Sequence, residues 1–570
     1  MPAESNGAEN FDTVIVGGGS AGCVLANRLS ADPSERVLLV EAGRDTPPGD
    51  VPAAILDSYP MPLFHGDTYI WPGLKARTAA LPGGGWGERA YEQGRVMGGG
   101  SSINVQAANR GLPRDYDEWA SLGATGWGWE DVLPYFRRLE RDLDCDGPLH
   151  GREGPLPIRR ILPPGWPPFA EAVAQAFEAT GLPRRIDQNG EFEDGIFPPA
   201  FSNENDRRVS TAAAYLDAPT RARGNLSIEA GTKVSGLRLS GRRVEGVELR
   251  RGNERRLVRA GRVILAAGAL QSPALLLRAG IGPADELAAL GLPVVIDRPG
   301  VGRNLRDHPA LTFCQYLPRA LRLPASYRRA SFVALRYSSE GDGGSASDMY
   351  LTAAARAGWH ALGQRLGLYF LWCNRPFSSG SVTLASPDPE AHPQVDLGLL
   401  DDARDLHRLM DGVRRLVGLV VHPGLNPEPG ELFPAGFSPR IKRLSAVTPA
   451  NARATALLGA ALDLAGPLRA ALLRRFMMSG RSMAELLADD GALGAFVRRN
   501  VFGVWHASGT CRMGAAEDRE AVVDPSGKVI GSENLYVADA SVMPRLPTAN
   551  TNIPVVMIAE KMTDALRRRR

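Results

Sequence analysis

The sequence predicts an α/β protein, and two neighbouring features near its start carry this prediction. The apolar residues 14–16 run into a turn, residues 17–22, that reads Gly-Gly-Gly-Ser-Ala-Gly. A helical stretch follows over residues 23–30, and a second apolar run at residues 37–40 ends on Glu41. A strand, a glycine-rich turn, a helix and a second strand with a terminal acid together form the βαβ unit that binds a dinucleotide.

The glycines of this turn have distinct physical tasks. Gly17 makes the tight turn after the strand, and Gly19 lets the backbone approach a pyrophosphate. Gly22 lets the helix pack closely on the sheet, and the N-terminus of that helix favours the phosphates. Glu41 is placed to accept a hydrogen bond from a ribose hydroxyl.

The same residues also match a hydrolase motif. Residues 18–22 fit the Gly-x-Ser-x-Gly nucleophile elbow, in which Ser20 would be the nucleophile. That alternative leaves Gly17 and Glu41 without a role, so the dinucleotide site is the favoured prediction.

Composition narrows the class of protein. The chain has 570 residues, 44% of them hydrophobic and 23% charged, as in an ordinary globular protein with room for two domains. The net charge of +3 does not indicate a nucleic-acid partner. Five scattered cysteines without Cys-x-x-Cys spacing predict neither a metal site nor disulfides, and they favour a reducing compartment. We find no secretion signal and no apolar run that spans a bilayer, so we expect a cytoplasmic protein.

The middle of the chain predicts further elements in order. Residues 46–93 are rich in turn signals, and the glycine and serine run of residues 94–104 is not expected to form a packed element. Its free backbone N–H groups are suited to an anion or to the edge of a ring. Residues 226–263 predict several strands, and residues 263–268 predict a second strand that contacts the nucleotide.

A different pattern begins near residue 313 and predicts a second domain. Short aromatic-rich strands separated by Gly/Ser turns indicate an antiparallel sheet, with strands at residues 331–337, 348–352, 368–373 and 380–385. Residues 441–499 are predicted to be helical.

Part of that helical stretch is basic and amphipathic. Leu468, Leu472 and Phe476 recur at helical spacing with arginines between them. This pattern fits a membrane-surface helix or a subunit contact, but the favoured interpretation is a helix packed over the substrate domain.

The C-terminal region supplies the two halves of a hydride-transfer site. His506 lies in a segment of small residues and is a candidate base, and Asn550 could hold an alcohol oxygen. Pro554 predicts the first turn of a helix over residues 555–566, whose N-terminus would stabilise the negative charge of a reduced cofactor ring.

Several motifs in the same order resemble the glucose–methanol–choline (GMC) oxidoreductases over essentially the whole chain. Residues 94–104 resemble the first signature of that family, and residues 268–282 resemble the second, with Ala279 where serine is usual. The Asp307-His308 turn and the segment around His506 also match. Within the family the chain is most similar to oxidases of furanic and aryl alcohols.

The resemblance implies a Rossmann-like FAD-binding domain and a discontinuous substrate-binding domain built on an antiparallel sheet plus helices. The first would comprise residues 1–160, 210–312 and 500–570, and the second residues 161–209 and 313–499. Some relatives tether FAD through a histidine at the position of Ile103, so FAD is expected to be non-covalent here. The expected FAD contacts are Gly17, Gly19, Ser20, Ala21, Gly22, Glu41, Ala42, Arg95, Gly98, Gly99, Ser102, Asn104, Val105, Val234, Ala267, Gly268, Asp539, Ala540, Asn552 and Ile553.

The resemblance also implies the chemistry. His506 would accept the alcohol proton, Asn550 would orient the oxygen, and Trp505, Trp372 and Cys373 would line the substrate pocket. The expected reaction is oxidation of a primary aryl or furanic alcohol such as 5-(hydroxymethyl)furfural to the aldehyde, and on to the acid through the hydrate. The expected partners are the alcohol and O2, and the protein is expected to be a monomer or a homodimer.

Other activities within this fold remain open at this stage. A dehydrogenase of the choline type would use an acceptor other than oxygen, and a lyase of the hydroxynitrile type would hold FAD without net redox chemistry. A photodecarboxylase shares the fold, but the turn at residues 378–380 lacks the arginine that we would look for there.

Overall fold

The computed structural model describes residues 9–341, 343–425, 432–435, 443–469, 471–473 and 481–568. The strands, in chain order, are β1 Asn10–Val16, β2 Val37–Val40, β3 Lys75–Ala80, β4 Trp86–Ala90, β5 Glu140–Asp142, β6 Leu156–Arg159, β7 Gly195–Phe197, β8 Phe201–Glu204, β9 Arg207–Arg208, β10 Leu226–Glu229, β11 Lys233–Ser240, β12 Arg243–Arg251, β13 Glu254–Leu265, β14 Ile281–Gly282, β15 Ile296–Asp297, β16 Pro309–Tyr316, β17 Ser331–Tyr337, β18 Met349–Ala354, β19 Leu366–Cys373, β20 Ser381–Thr383, β21 Gln394–Asp396, β22 Phe433–Pro434, β23 Phe502–Gly503 and β24 Leu535–Val537.

The α-helices of the described residues, in chain order, are α1 Ser20–Leu29, α2 Ala53–Leu56, α3 Gly100–Ile103, α4 Pro113–Ser121, α5 Trp129–Leu139, α6 Pro168–Glu178, α7 Thr211–Tyr215, α8 Ala218–Arg221, α9 Gly268–Arg278, α10 Ala284–Ala289, α11 Ala403–Val420, α12 Pro449–Leu464, α13 Met483–Leu487, α14 Asp490–Asn500 and α15 Asn552–Arg568. Among the described residues, no helix has both the length and the apolar character that a bilayer crossing requires.

The first large sheet has a parallel core in the order β10, β2, β1, β13, β24. Val14 pairs with Leu38 on one side and with Val263 on the other. Every residue of β2 is buried, as continuous apolar strands of a parallel sheet should be. A hairpin of β11 and β12 extends the sheet beside the first half of β13. The predicted α/β architecture with a dinucleotide-type βαβ start is confirmed.

The second large sheet is antiparallel and has the order β22, β16, β19, β18, β17, β7, with β23 also pairing with β16. The strand predicted at residues 331–337 is β17 with the same bounds, and the strand predicted at 368–373 begins slightly earlier as β19. The predicted domain boundary at residue 313 falls inside β16, and the division into two domains stays a prediction.

Two segments that the sequence predicts as irregular contain regular structure. Residues 46–93 include an antiparallel hairpin of β3 and β4. Residues 94–104 include the short helix α3, whose residues Ser101, Ser102 and Ile103 are buried. The expectation that 94–104 is not a packed element is wrong, because the serine side chains satisfy the turn: Ser102 Oγ donates to the Met97 carbonyl and Ser101 Oγ to the Gly98 carbonyl.

The predicted helical stretch after residue 441 is partly described. Leu462 of α12 and Leu473 are buried in a small apolar cluster with Cys314 of β16. This part of the stretch therefore packs on the antiparallel sheet, in agreement with the interpretation that the sequence favours. Leu468 lies in a short 3₁₀ turn and is 67% exposed, so it does not continue an apolar seam. Phe476 lies outside the described residues.

Candidate active site

One cavity of about 1130 Å³ brings residues of both large sheets together. It is lined by Val16 and Val40 from the parallel sheet and by Tyr350 and Trp372 from the antiparallel sheet. Most predicted site residues line it: Gly17, Gly19, Ser20, Ala21, Glu41, Ala42, Gly99, Asn104, Val105, Val234, Ala267, Gly268, Trp372, Trp505, His506, Asp539, Ala540, Asn550 and Asn552. The cavity therefore joins the dinucleotide fingerprint to the C-terminal histidine and asparagine.

Some predicted contacts are not among the described residues that line this cavity, and they act behind its wall. Gly98 donates its N–H to the Gly18 carbonyl and so fastens two loops of the wall together. Arg95 lies over the Trp71 ring with its guanidinium carbon 5.0 Å from the ring centroid. Gly22 packs against the Gly17 carbonyl, Ser102 Oγ donates to the Met97 carbonyl, and Ile553 is buried.

The prediction that Cys373 lines the pocket is wrong. Successive residues of a strand point to opposite faces of a sheet. Trp372 lies in the apolar cluster beside the cavity, so Cys373 points into the main core on the other face, where it is fully buried. Cys373 is therefore a packing residue, and burial raises the pKa of its thiol.

The glycine turn has the geometry of a cradle for an anion. Gly17 has φ +104°, and an added Cβ would lie 2.6 Å from the Ala266 carbonyl oxygen. A Cβ on Gly22 would lie 1.9 Å from the Gly17 carbonyl oxygen. At Gly19 the nearest atom to such a Cβ is 3.8 Å away, so the protein itself leaves that position free. Glycine at position 19 is therefore explained by a ligand that approaches the backbone from the cavity.

Three helices of ten or more residues begin at the wall of this cavity. Ser20 is the first residue of α1, Gly268 of α9 and Asn552 of α15, and all three line the cavity. The Ser20 hydroxyl donates to Asn552 Oδ1 at 2.8 Å and joins the first and last of these helices. The free N–H groups and the dipoles of three helix N-termini suit a bound anion. A nucleophile at Ser20 would need a histidine, and its hydroxyl is bonded to an asparagine instead.

Two buried carboxylates fix the loops of the dinucleotide end. Glu41 accepts N–H bonds from Gly18 at 2.8 Å and Gly43 at 2.7 Å, and burial raises its pKa to about 7. Asp539 accepts from the Gly268 N–H at 2.9 Å and from the Ser272 hydroxyl at 2.6 Å. Each carboxylate keeps lone pairs for a hydroxyl of a ligand.

The two candidate catalytic residues, His506 and Asn550, lie side by side at the cavity wall. Asn550 Nδ2 lies 3.0 Å from His506 Nε2. On its other side, His506 Nδ1 lies 2.8 Å from Nδ1 of His308. Burial lowers the pKa of His308 to about 3, and burial together with His308 holds the pKa of His506 well below its usual value, so both rings are neutral.

These contacts select one arrangement of the imidazole protons. An amide N–H donates, so the Asn550 contact leaves Nε2 of His506 as the acceptor. The proton of His506 is then on Nδ1 and is donated to Nδ1 of His308. The single lone pair of His506 Nε2 therefore accepts from Asn550, and it becomes the proton acceptor for a hydroxyl that enters between the two side chains.

Asp307 positions the backbone that carries His506, a role that sequence reasoning did not assign. Its Oδ1 accepts N–H bonds from Val504 at 3.1 Å and His506 at 3.0 Å, and its Oδ2 accepts from the Tyr91 hydroxyl at 2.6 Å. Trp505, between those two N–H groups, has φ +62°, a conformation that a bulky residue rarely adopts. The Asp307-His308 turn is visible in the sequence, but its distance from residue 506 along the chain hides this function.

The cavity wall beside His506 is aromatic. Trp505 stacks on Phe64 with ring centroids 6.1 Å apart, and its Nε1–H donates to Glu92 at 3.0 Å. Tyr350 and Trp372 stack at 4.5 Å on the antiparallel sheet. Such a surface suits a planar ring bound face to face or edge to face.

Among the described residues, one group has the spacing of metal ligands, namely Glu140, Asp142 and His150. His150 hydrogen-bonds to acids on both ring nitrogens, and these carboxylates raise its pKa to about 10 against the cost of burial. Arg110 pairs with Glu140 at 2.7 Å and Arg160 with Asp142 at 2.9 Å. The two carboxylates of this group are therefore already paired with arginine and histidine side chains.

Comparison with known proteins defines the class. The N-terminal GMC oxidoreductase model matches residues 11–310, and the C-terminal one matches residues 376–559. The chain belongs to the GMC oxidoreductase family.

Individual relatives span its whole length. It is 46% identical over 563 residues to 5-(hydroxymethyl)furfural oxidase of Methylovorus sp. (strain MP688), with 98% of each chain covered. It is 33% identical over 604 residues to human mitochondrial choline dehydrogenase, covering 99% of this chain and 91% of that protein.

The solved structures agree in fold. Pyridoxine 4-oxidase from Mesorbium loti superposes with a TM-score of 0.79 at 28% identity, covering 98% of this chain and 99% of the other. A fungal aryl-alcohol oxidase superposes with a TM-score of 0.74 at 22% identity, also covering 98% and 99%, and supports the fold alone.

FAD is the cofactor of this enzyme, and the residues present fit it. The open side of Gly19, together with the N-termini of α1 and α15, suits the pyrophosphate. Glu41 at the end of β2 suits a ribose hydroxyl. Ile103, at the position where some family members tether FAD, cannot form such a bond, and non-covalent attachment stays a prediction.

Proposed function

We propose that this enzyme oxidises primary alcohols on aryl or furan rings to aldehydes, with O2 as the acceptor and H2O2 as the second product. The observation that carries the proposal is the His506–Asn550 pair, 3.0 Å apart at the wall of an aromatic cavity. The 46% identity to a 5-(hydroxymethyl)furfural oxidase supports the substrate class.

The roles of the side chains follow from their hydrogen bonds. A substrate hydroxyl that enters between His506 and Asn550 donates its proton to Nε2 of His506 and accepts the N–H of Asn550. His308 keeps the proton of His506 on Nδ1, away from the substrate. The carbinol carbon gives up a hydride, for which bound FAD supplies the acceptor, and the aryl or furan ring stabilises the charge that develops on this carbon.

Aldehyde products can react a second time at the same pair. An aldehyde hydrate carries a hydroxyl on the carbon that still bears hydrogen, so His506 can accept its proton as it does from an alcohol. We therefore propose that acids are formed from aldehydes whose hydrates are well populated.

The test is an anaerobic spectrum of the flavin. Addition of 5-(hydroxymethyl)furfural or vanillyl alcohol should bleach the visible bands, and air should restore them with one H2O2 for each reduced flavin. His506→Ala should keep FAD and lose about 10²–10⁴ in the rate of bleaching, the usual effect of a positioned base. His407→Ala removes an exposed histidine outside the cavity and should bleach at the normal rate.

Other outcomes identify the competing activities. Bleaching that persists in air would indicate a dehydrogenase with another acceptor. A flavin that no alcohol bleaches would contradict the redox proposal and favour a lyase. Equal bleaching by His506→Ala and the wild type would overturn the assignment of the base.

We also place this chemistry in the cytoplasm. All five cysteines are free thiols, and four of them are buried. This pattern is typical of proteins kept in a reducing compartment.

A further inference from the structure

Two buried arginines line the cavity, and the catalytic scheme uses neither of them. Arg329 is 5% exposed and Arg356 is 8% exposed, and both lie at the wall. The Arg329 guanidinium stacks on Phe201 at 3.8 Å, and that of Arg356 stacks on Tyr59 at 3.9 Å. Stacking engages the flat face of a guanidinium and leaves its edge, with five N–H donors, for hydrogen bonds. We call these four residues the arginine arm.

The donors of the arginine arm are largely unused. Arg329 makes one hydrogen bond, from Nη2 to Oε1 of Gln106 at 3.2 Å. Arg356 makes one, to the carbonyl of Arg328, and its Nε is buried without an acceptor. Within the described residues, no carboxylate lies within 4 Å of either guanidinium.

Other buried arginines of the described chain have more partners, although Arg110, Arg160, Arg208 and Arg336 each also leave one buried N–H group without an acceptor. Arg110, Arg160 and Arg408 each pair with a buried carboxylate. Arg208, Arg306 and Arg336 have no such ion pair, but each donates to three or more oxygen atoms. The arginine arm is thus an exception within this protein, and a buried charge without partners is costly.

The charge around the arginine arm is positive. Arg328 lies beside it and is paired with Asp57. Asp206 attracts both Arg329 and Arg356, whereas Asp57 attracts Arg356, and Asp206 also accepts from the Ser58 hydroxyl. Burial lowers the pKa of Arg329 to about 10, so this guanidinium is charged at neutral pH.

The antiparallel sheet leads from the aromatic wall at Trp372 to the arginine arm. Tyr350, Thr352 and Ala354 alternate along β18 and all line the cavity. Tyr350 pairs with Trp372, and Ala354 pairs with Ser331, two residues after Arg329. Four residues of a strand span about 13 Å, so the arm lies toward the far end of the cavity from Trp372.

We propose that the arginine arm binds a carboxylate at the end of the substrate remote from its hydroxymethyl group. A carboxylate matches the edge of a guanidinium with two parallel hydrogen bonds. The preferred substrates are therefore elongated aryl or furanic alcohols that carry an acid. A cationic alcohol such as choline is repelled by the same residues.

The experiment compares each acid with its neutral isostere. The probes are 4-(hydroxymethyl)benzoate and 4′-(hydroxymethyl)biphenyl-4-carboxylate, each paired with its primary amide, at two lengths because the arm is remote. We expect kcat/KM to be at least about tenfold higher for one acid than for its amide, as charge-assisted hydrogen bonds allow. Arg329→Met with Arg356→Met should bring this ratio close to one.

Arg328→Met is the matched control, because it removes a neighbouring exposed arginine that does not line the cavity. It should keep the ratio of the wild type. The inhibition constants of biphenyl-4-carboxylate and of biphenyl-4-carboxamide for the wild type give the same comparison without any variant. Acid-to-amide ratios of kcat/KM close to one at both probe lengths would contradict the proposal. A high ratio that is retained in the double variant would also contradict it.

This inference rests on the proposed alcohol oxidation. Different experimental results would contradict the oxidation and the carboxylate site. If 5-(hydroxymethyl)furfural, the acids and the amides all fail to bleach the flavin, the proposed function is wrong. If acids and amides bleach it equally well, alcohol oxidation stands and the arginine arm is not a carboxylate site.

Discussion

Glycine serves two different purposes within a single turn of this enzyme. At Gly22 the backbone of Gly17 occupies the space of a side chain, so the requirement is internal to the fold. At Gly19 the space beside the backbone is open, so the requirement comes from the ligand. Substitution can separate the two.

Gly22→Ala should destabilise the protein, because its Cβ would lie 1.9 Å from a carbonyl oxygen, and overpacking typically costs about 1–3 kcal/mol. Gly19→Ala should leave the unfolding midpoint of the FAD-free protein nearly unchanged and should weaken FAD binding at least about tenfold. Gly66→Ala is a control, since no atom lies within 4 Å of its added Cβ. Thermal denaturation and flavin-fluorescence titration measure the two effects, and loss of FAD-free stability in Gly19→Ala would contradict this division.

Individual site residues were predictable to different degrees. His506 and Asn550 stand in recognisable segments, and the structure brings them together. Trp372 was placed correctly, but its neighbour Cys373 was not, although alternation along a strand already implies opposite faces. Arg329 lies in a loop where no periodic pattern operates, so only tertiary structure reveals its unused donors.

At the scale of elements, the strands formed by apolar runs were predicted best from the sequence. Strands β2 and β17 have the bounds that the sequence predicts, because buried strands are continuous in apolar and β-branched residues. The helix α3 was missed, because its propensity is low and side-chain hydrogen bonds from two serines stabilise the turn. These local side-chain hydrogen bonds override the low helix propensity of the segment.

The contacts among β5, β6 and the loops beside them should make the free energy of unfolding depend on pH. His150 has a pKa of about 10 in the folded protein against about 6.5 when unfolded, because Asp142, Asp187 and Glu140 accept its N–H groups. Its stabilising effect is therefore complete below about pH 6.5 and is lost as the pH rises through about 10. The free energy of unfolding should fall across this window by a few kcal/mol, at about 1.4 kcal/mol per pKa unit.

The readout is the difference between the wild type and His150→Gln in chemical denaturation at pH 6, 8 and 10. This difference should be large at pH 6 and should shrink toward pH 10. Exposed His407→Gln should show no such trend. A difference that is constant with pH would show that folding does not raise the pKa of His150.

At the scale of the whole molecule, the cavity depends on distant parts of the chain. Its wall runs from Val16 to Val555 and includes both large sheets. A ligand that binds the folded state alone stabilises it by RT ln(1 + [L]/Kd), about 2.7 kcal/mol at a hundredfold excess over Kd.

Removal of FAD should therefore lower the melting temperature of the entire protein in one transition, and added FAD should restore it in proportion to the logarithm of its concentration. Scanning calorimetry of the stripped and reloaded protein measures this. Gly19→Ala should gain less from the same FAD concentration. Equal melting temperatures with and without FAD would contradict a cofactor site shared by both sheets.

The hydrogen bond between Ser20 and Asn552 also sets an order of events during biosynthesis. It joins residues 532 positions apart, and β24, near the end of the chain, completes the parallel core beside β13. Until the residues of α15 have been synthesised, the phosphate end of the cavity has only one of its walls. We therefore expect that the cofactor is captured only after α15 has packed against α1.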